Sequence, residues 1–193
     1  MPSFCRINQL SRFGAEIFTV DFLGIGILRE LGVLLTSIVV AGRTASSIAA
    51  QIGIMKLNQE IDAIRMMGFN PMDVLVIPRL IALVITLPCL VFFSDVCGIL
   101  GGMVLTSMVI DLHPGQYLEQ LQKAISLTHF WVGMSKAPLF AIIIALVGCF
   151  RGFSVTGSAE SVGEMTTRAV VESIFLVIIC DAILSVIYSY LNV

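Results

Sequence analysis

Arg29, Glu30, Arg43, Asp95, Lys136, Glu172 and Asp181 all stand inside long apolar runs of this sequence. A charge in such a run is costly, so it normally faces a cavity, a partner or a counter-charge. Three kinds of chemistry fit these residue types. An arginine fork donates paired hydrogen bonds to a phosphate. An acid and a base of opposite sign form a buried structural pair. A chain of carboxylates and a lysine can also relay protons. Covalent catalysis has no support. There is no GxxxxGK[ST] phosphate loop, no HExxH and no serine–histidine constellation. His113 and His129 have no partner at ligand spacing, and the five cysteines form no CxxC pair, so a metal site is not expected.

The elements that must hold these residues follow from composition. Of the 193 residues, 58% are hydrophobic and 12% charged, and the mean hydropathy is +1.01. A soluble domain carries about 25% charge. The expected fold class is all-α, a polytopic helical membrane protein forming a single domain over residues 1–193. A hydrocarbon core of about 30 Å needs about 20 apolar helical residues. Four stretches meet this, over about 22–54, 80–110, 130–150 and 170–191. The connections differ in charge. Lys56, Arg65 and Arg79 lie in the first, and Arg151 and Arg168 in the third. The middle one has Asp111 and Glu119 against Lys123 alone. By the positive-inside rule, the first and third connections are cytoplasmic and both termini lie outside. Trp131 then falls at the outer interface. There is no basic tract for nucleic acid and no secretory signal at the start.

Residues 55–68, MKLNQEIDAIRMMG, form a polar interlude between two spans. Leu57, Ile61, Ile64 and Gly68 recur at helical spacing on one face. Asn58, Asp62 and Arg65 gather elsewhere. Gly68 and the Asn70-Pro71 pair end the segment. The expectation is a short amphipathic helix. It either lies on the membrane surface or meets a protein partner. Glu60 and Asp62 mixed with Lys56 and Arg65 suit a protein partner better than a bilayer surface.

The run LRELGVLLTSIVVAGRTASSIAAQIGIMKLNQEIDAIRMMGFNPMDVLVIPRLIA resembles the MlaE or YrbE permease family, and TTRAVVES at 166–173 resembles its last loop. Arg29-Glu30-Leu31-Gly32, Ala41-Gly42-Arg43, Glu60-Ile61-Asp62-Ala63, Met67-Gly68 and Pro78-Arg79 carry the likeness. The resemblance implies the membrane subunit of an ABC transporter in the inner membrane of Gram-negative bacteria. Such a subunit moves phospholipids between inner and outer membranes. It also implies a homodimer and a cytoplasmic ATPase, which binds the ATP and docks on residues 55–68 as a coupling helix. This chain itself would need no cofactor and would not be an enzyme. Further implied partners are a periplasmic MCE-domain hexamer and a STAS-domain protein. The family usually carries an interfacial helix and a further span at the N-terminus, and neither is expected within these 193 residues. Val33, Gln51 and Asn70 stand where the family usually has Pro, Glu and Asp.

Site expectations follow. Arg29, Glu30, Leu34, Val177 and Leu184 are candidates for lining a lipid pocket, with Arg29 meeting a phosphate. The alternative for Arg29 and Glu30 is a pair that snorkels outward. Arg43 is expected to pair with Asp95, Asp181 or Glu172, with lipid contact as its alternative. Asp95, Lys136 and Asp181 are expected as intramembrane polar residues. Leu57, Glu60, Ile61, Asp62, Ile64, Arg65 and Gly68 are expected to couple to the ATPase, which would push on Leu57, Ile61 and Ile64. Gly98 and Gly102 form a GxxxG packing pair. A proton-coupled secondary transporter is the rival function, but it predicts inverted repeats that the sequence does not show. A scaffold without a substrate path would not need Arg29, Glu30 and Arg43 in one span.

Overall fold

A computed structural model of the chain describes residues 24, 26–109, 114–124 and 127–190. The N-terminal segment, Asp111, His113 and the end of the last span at Leu191 lie outside these residues. The described residues are almost all helical, with no strand among them.

Helix α1 runs Ile27–Leu57. Its buried stripe is Val33, Ser37, Ala41, Ala45, Ala49 and Gly53, a residue every four positions. On a 3.6-residue turn each such step drifts about 40° around the helix. Two π-helical stretches, Ile27–Leu31 and Ala41–Ala45, have wider turns that rotate the stripe back onto one face. Ser46 Oγ closes the second by donating to the carbonyls of Gly42 and Arg43 at 2.8 and 2.9 Å.

A turn at Asn58-Gln59 leads into α2, Glu60–Met66. Helix α3 starts with a π-helical turn, Met72–Val76, and continues through Ile77–Val109. The amphipathic α4, Pro114–Ala124, lays Tyr117 and Leu121 against Ile99 and Met103 of α3. Helices α5, Leu127–Phe153, and α6, Ala159–Tyr190, complete the bundle. Among the described residues, four helices are long and apolar enough to cross a membrane. The outward apolar surface, with Ile85, Phe93, Phe175 and Val186, has no place in water.

Helices α1 and α5 pair at the centre, and each touches both α3 and α6. The pair is nearly backbone to backbone. A β-carbon at Gly133 would overlap the Leu28 carbonyl, one at Gly148 would stand 3.1 Å from the Ala45 carbonyl, and one at Gly152 would stand 2.7 Å from Ile52 Cβ. Both partner series rise together along the chain, so α1 and α5 run parallel. Spans one and three must do so in an alternating four-span chain. Small residues allow this close approach, and dispersion supplies the attraction that hydrophobicity cannot supply in lipid. The GxxxG pair works differently from a helix-dimer motif. Gly98 makes room for the side chain of Ile27 and Gly102 for the Tyr117 hydroxyl.

The polar connections are shorter than expected. Helix α5 continues past residue 150 to Phe153, and α6 begins at Ala159. Residues read as a loop, Arg151 and Arg168 among them, are therefore helical. Lys56 Nζ donates to the Phe153 carbonyl at 2.6 Å and satisfies an acceptor that the end of α5 leaves open.

Candidate functional site

Two groups of polar residues sit at opposite ends of the bundle. At the end where α1 begins, the π-helical turn Ile27–Leu31 carries Arg29 and Glu30, both half-buried. Ser185 Oγ of α6 donates to Glu30 Oε1 at 2.6 Å, so Glu30 turns inward across the bundle. Two residues on, Gly32 lies flat against the Asp95 carboxylate of α3, where a β-carbon would overlap Oδ1. Asp95 is buried, and its Oδ1 makes no hydrogen bond to any described residue. Lys136 of α5 donates to Asp181 Oδ1 of α6 at 3.0 Å, and the two side chains are 1% and 7% exposed. Ser135 Oγ and the Tyr188 hydroxyl lie 2.7 Å apart beside them.

The expected lipid-pocket residues divide. Arg29, Glu30, Leu34 and Leu184 are half-buried, and Leu184 packs against the core. Val177 is fully buried in that core with Val33, Val91 and Phe140. It therefore cannot bound a cavity in this chain, which corrects the expectation. The reason is register, because Val177 shares its face with Ala169, Ser173 and Asp181.

Arg43 also differs from expectation. It pairs with none of Asp95, Asp181 and Glu172 and is exposed. Lys136 holds Asp181. Arg151 holds Glu172 with both arms, Nε donating to Oε2 at 2.6 Å and Nη2 to Oε1. Asp95 lies against Gly32, three turns away from Arg43 along α1. The core stripe passes through Ala41 and Ala45, so Arg43 between them points off the bundle with Leu35, Val39, Ser47 and Gln51.

At the other end lies α2. The expected helix over 55–68 is interrupted. Helix α1 carries the chain to Leu57, and Gln59 turns it in the left-handed region at φ 61°. Helix α2 ends in a Schellman motif, with Phe69 N–H bonded to the Ile64 carbonyl and Gly68 N–H to that of Arg65. Gly68 has φ +83°, a conformation that favours glycine. Asn70 Oδ1 then accepts from Met72 N–H at 3.3 Å and starts α3.

Ile61 is buried among Ile48, Ile52, Leu75, Val76 and Cys149, and Ile64 packs on the same cluster. Leu57 packs beside Val155, Val162 and Met165. The apolar face of α2 is thus bound to the ends of α1, α3 and α5, while Leu57, the last residue of α1, meets α6. The expectation that a partner pushes on Leu57, Ile61 and Ile64 is corrected. Ile61 and Ile64 anchor α2, Leu57 anchors the end of α1, and the face left open holds Glu60, Asp62, Arg65 and Met66, with Met67 and Phe69 following. An amphipathic helix buries its apolar side against its own domain first. The Asp62–Arg65 ion pair at 3.7 Å is exposed and adds little stability.

The sequence reading missed the glycine–alanine seam of α5. Its signal is present as Gly133, Ala137, Ala141 and Ala145 at four-residue spacing, continued by Gly148 and Gly152. It also missed Arg151–Glu172, because both ends were assigned to separate polar and apolar stretches.

Comparison with known proteins adds a family. The family model described as "Permease MlaE" matches residues 3–187. A "Probable ABC transporter permease protein" of Synechocystis sp. is 38% identical over 173 residues, covering 90% of this chain and 66% of that protein. One of Rickettsia typhi is 36% identical over 175 residues, covering 91% and 68%. The "Protein TRIGALACTOSYLDIACYLGLYCEROL 1, chloroplastic" of Arabidopsis thaliana is 33% identical over 179 residues, covering 93% and 51%. The chain thus spans about two thirds of the bacterial relatives and half of the plant one.

Proposed function

The chain belongs to the MlaE permease family of ABC transporter permeases, and from that premise we propose that two copies form the membrane domain of a phospholipid transporter. It is a multi-pass membrane protein and a permease component of an ABC transporter. The cytoplasmic membrane of a bacterium is the proposed location. A partner ATPase hydrolyses the ATP. A periplasmic MCE-domain hexamer hands lipid on or receives it, and a STAS-domain protein accompanies the ATPase.

The observation that carries this reading is the mounting of α2. Its apolar face is anchored to the ends of three long helices, α1, α3 and α5, and its polar face is open. A force applied to that face reaches the α1/α5 pair directly, because α2 leaves α1 through a two-residue turn. At the far end of α1, Arg29 sits half-buried beside an inward-turned Glu30. An arginine there is suited to a phosphodiester, since its fork matches two phosphate oxygens. The plant relative's name contains a diacylglycerol lipid, which supports an amphipathic lipid as cargo. A proton-coupled transporter would leave α2 with nothing to do.

Capture of the tagged full chain from detergent-solubilised membranes tests the reading. An ABC ATPase, an MCE-domain protein and bound phospholipid are expected together. Recovery of the chain with an ATPase and a water-soluble solute, and no phospholipid, would overturn the lipid assignment.

A further inference from the structure

Two arginines, Arg43 of α1 and Arg79 of α3, line one open cleft of about 380 Å³. The cleft's other polar walls are Thr44, Ser47, Gln51 and Thr86. Among the described residues no carboxylate lines it, and neither arginine pairs with a described acid. Arg79 Nη1 is buried without a hydrogen-bond partner. A guanidinium keeps its charge wherever it sits. Two of them uncompensated beside hydrocarbon are costly unless an anion joins them. Arg43 also stands on the π-helical stretch Ala41–Ala45, the kind of local widening often found at functional sites.

The cleft continues into a second, apolar one. Arg43 and Thr44 are shared with a groove of about 480 Å³ whose walls include Leu35, Val39 and Leu90. Together they form one amphipathic surface, cationic at the α2 end and apolar toward the start of α1. From Leu35 to Gln51 the helix rises about 24 Å. One leaflet with its headgroups is about 20–22 Å thick. With α2 on the cytoplasmic side, the cationic end lies where inner-leaflet phosphates lie, and the groove lies along their chains.

We propose that this cleft binds a phospholipid of the cytoplasmic leaflet, with Arg43 and Arg79 on the phosphodiester and the Leu35–Val39–Leu90 groove along an acyl chain. It is a station separate from the Arg29 end of the bundle. The proposal rests on the phospholipid-permease reading and adds a place where cargo stands on the opposite side of the membrane domain. Gln51 offers the most informative change, because Gln51→Glu introduces a carboxylate of the same shape beside both guanidiniums.

Native mass spectrometry of the full chain in detergent, titrated with dioleoylphosphatidylglycerol, dioleoylglycerol and inorganic phosphate, tests this. Phosphatidylglycerol binding is expected to weaken about tenfold in the double variant Arg43→Gln/Arg79→Gln and in Gln51→Glu, as loss of a charge-assisted contact implies. Dioleoylglycerol is expected to bind at least about tenfold more weakly than phosphatidylglycerol. Arg168→Gln, which changes an exposed arginine paired with Glu164 on α6, is expected to leave this binding in place. Size-exclusion profiles of the variants check folding. Equal competition by inorganic phosphate would make this a free-anion site and overturn the lipid assignment. Unchanged lipid binding with a rise in dimer for Gln51→Glu would give the arginines to a second copy and overturn the proposal. Lipid binding lost only in Arg29→Gln would overturn it while leaving the permease reading intact. No phospholipid bound by the wild-type chain would remove both.

Discussion

The Lys136–Asp181 pair is the most enclosed charged contact in the described structure. Its desolvation cost is offset only while both partners are present. Lys136→Met strands a buried carboxylate and is expected to cost about 3–5 kcal/mol. The double variant Lys136→Met/Asp181→Leu removes both charges and should recover most of that loss. Thermal unfolding in detergent measures both, and a double variant no more stable than the single one would contradict a structural role. This partnership was only partly legible in the sequence. Lys136 and Asp181 stood out as intramembrane charges, but Arg43 competed with Lys136 for the acid. The choice is made by register, since the four-residue core stripe of α1 turns Arg43 away and that of α6 turns Asp181 inward. The π-helical turns that keep the α1 stripe straight have no residue signature.

At the scale of the element, α2 has an anchoring face and an open face, and substitutions should separate them. Ile61→Asp buries a charge in the cluster of Ile48, Ile52 and Val76, where an unpaired charge is strongly disfavoured. It is expected to lower the melting temperature and to release the ATPase together. Met66→Asp combined with Glu60→Lys alters only exposed positions and is expected to release the ATPase at an unchanged melting temperature. A pull-down beside a melting curve distinguishes the two, and equal retention in both variants would contradict the coupling role. The helix end at Gly68 was legible because αL glycine and a following Asn-Pro are strong punctuation. Its start was not. Leu57 and Ile61 keep helical spacing across the Asn58-Gln59 turn, and glutamine carries no signal for a positive φ.

For the whole molecule, the parallel α1/α5 pair supports alternating spans with α2 on one side and α4 on the other. In a cysteine-free background, Glu119→Cys is expected to react with a membrane-impermeant maleimide added to intact cells, and Asp62→Cys only after lysis. Reaction of both from outside would contradict the topology. The number of spans was readable because hydrophobic length is set by bilayer thickness. Which helices pair at the centre was not, because an apolar run looks the same whether it faces lipid or protein. Only the small-residue spacing of α5 marks the difference. The central claim is that ATP hydrolysis in a partner moves phospholipid by pushing on α2. Transfer of a fluorescent phospholipid by the reconstituted complex in liposomes tests it most directly. The account predicts transfer that requires ATP and is lost in Met66→Asp/Glu60→Lys. Transfer that proceeds without ATP, or that survives those changes, would contradict it.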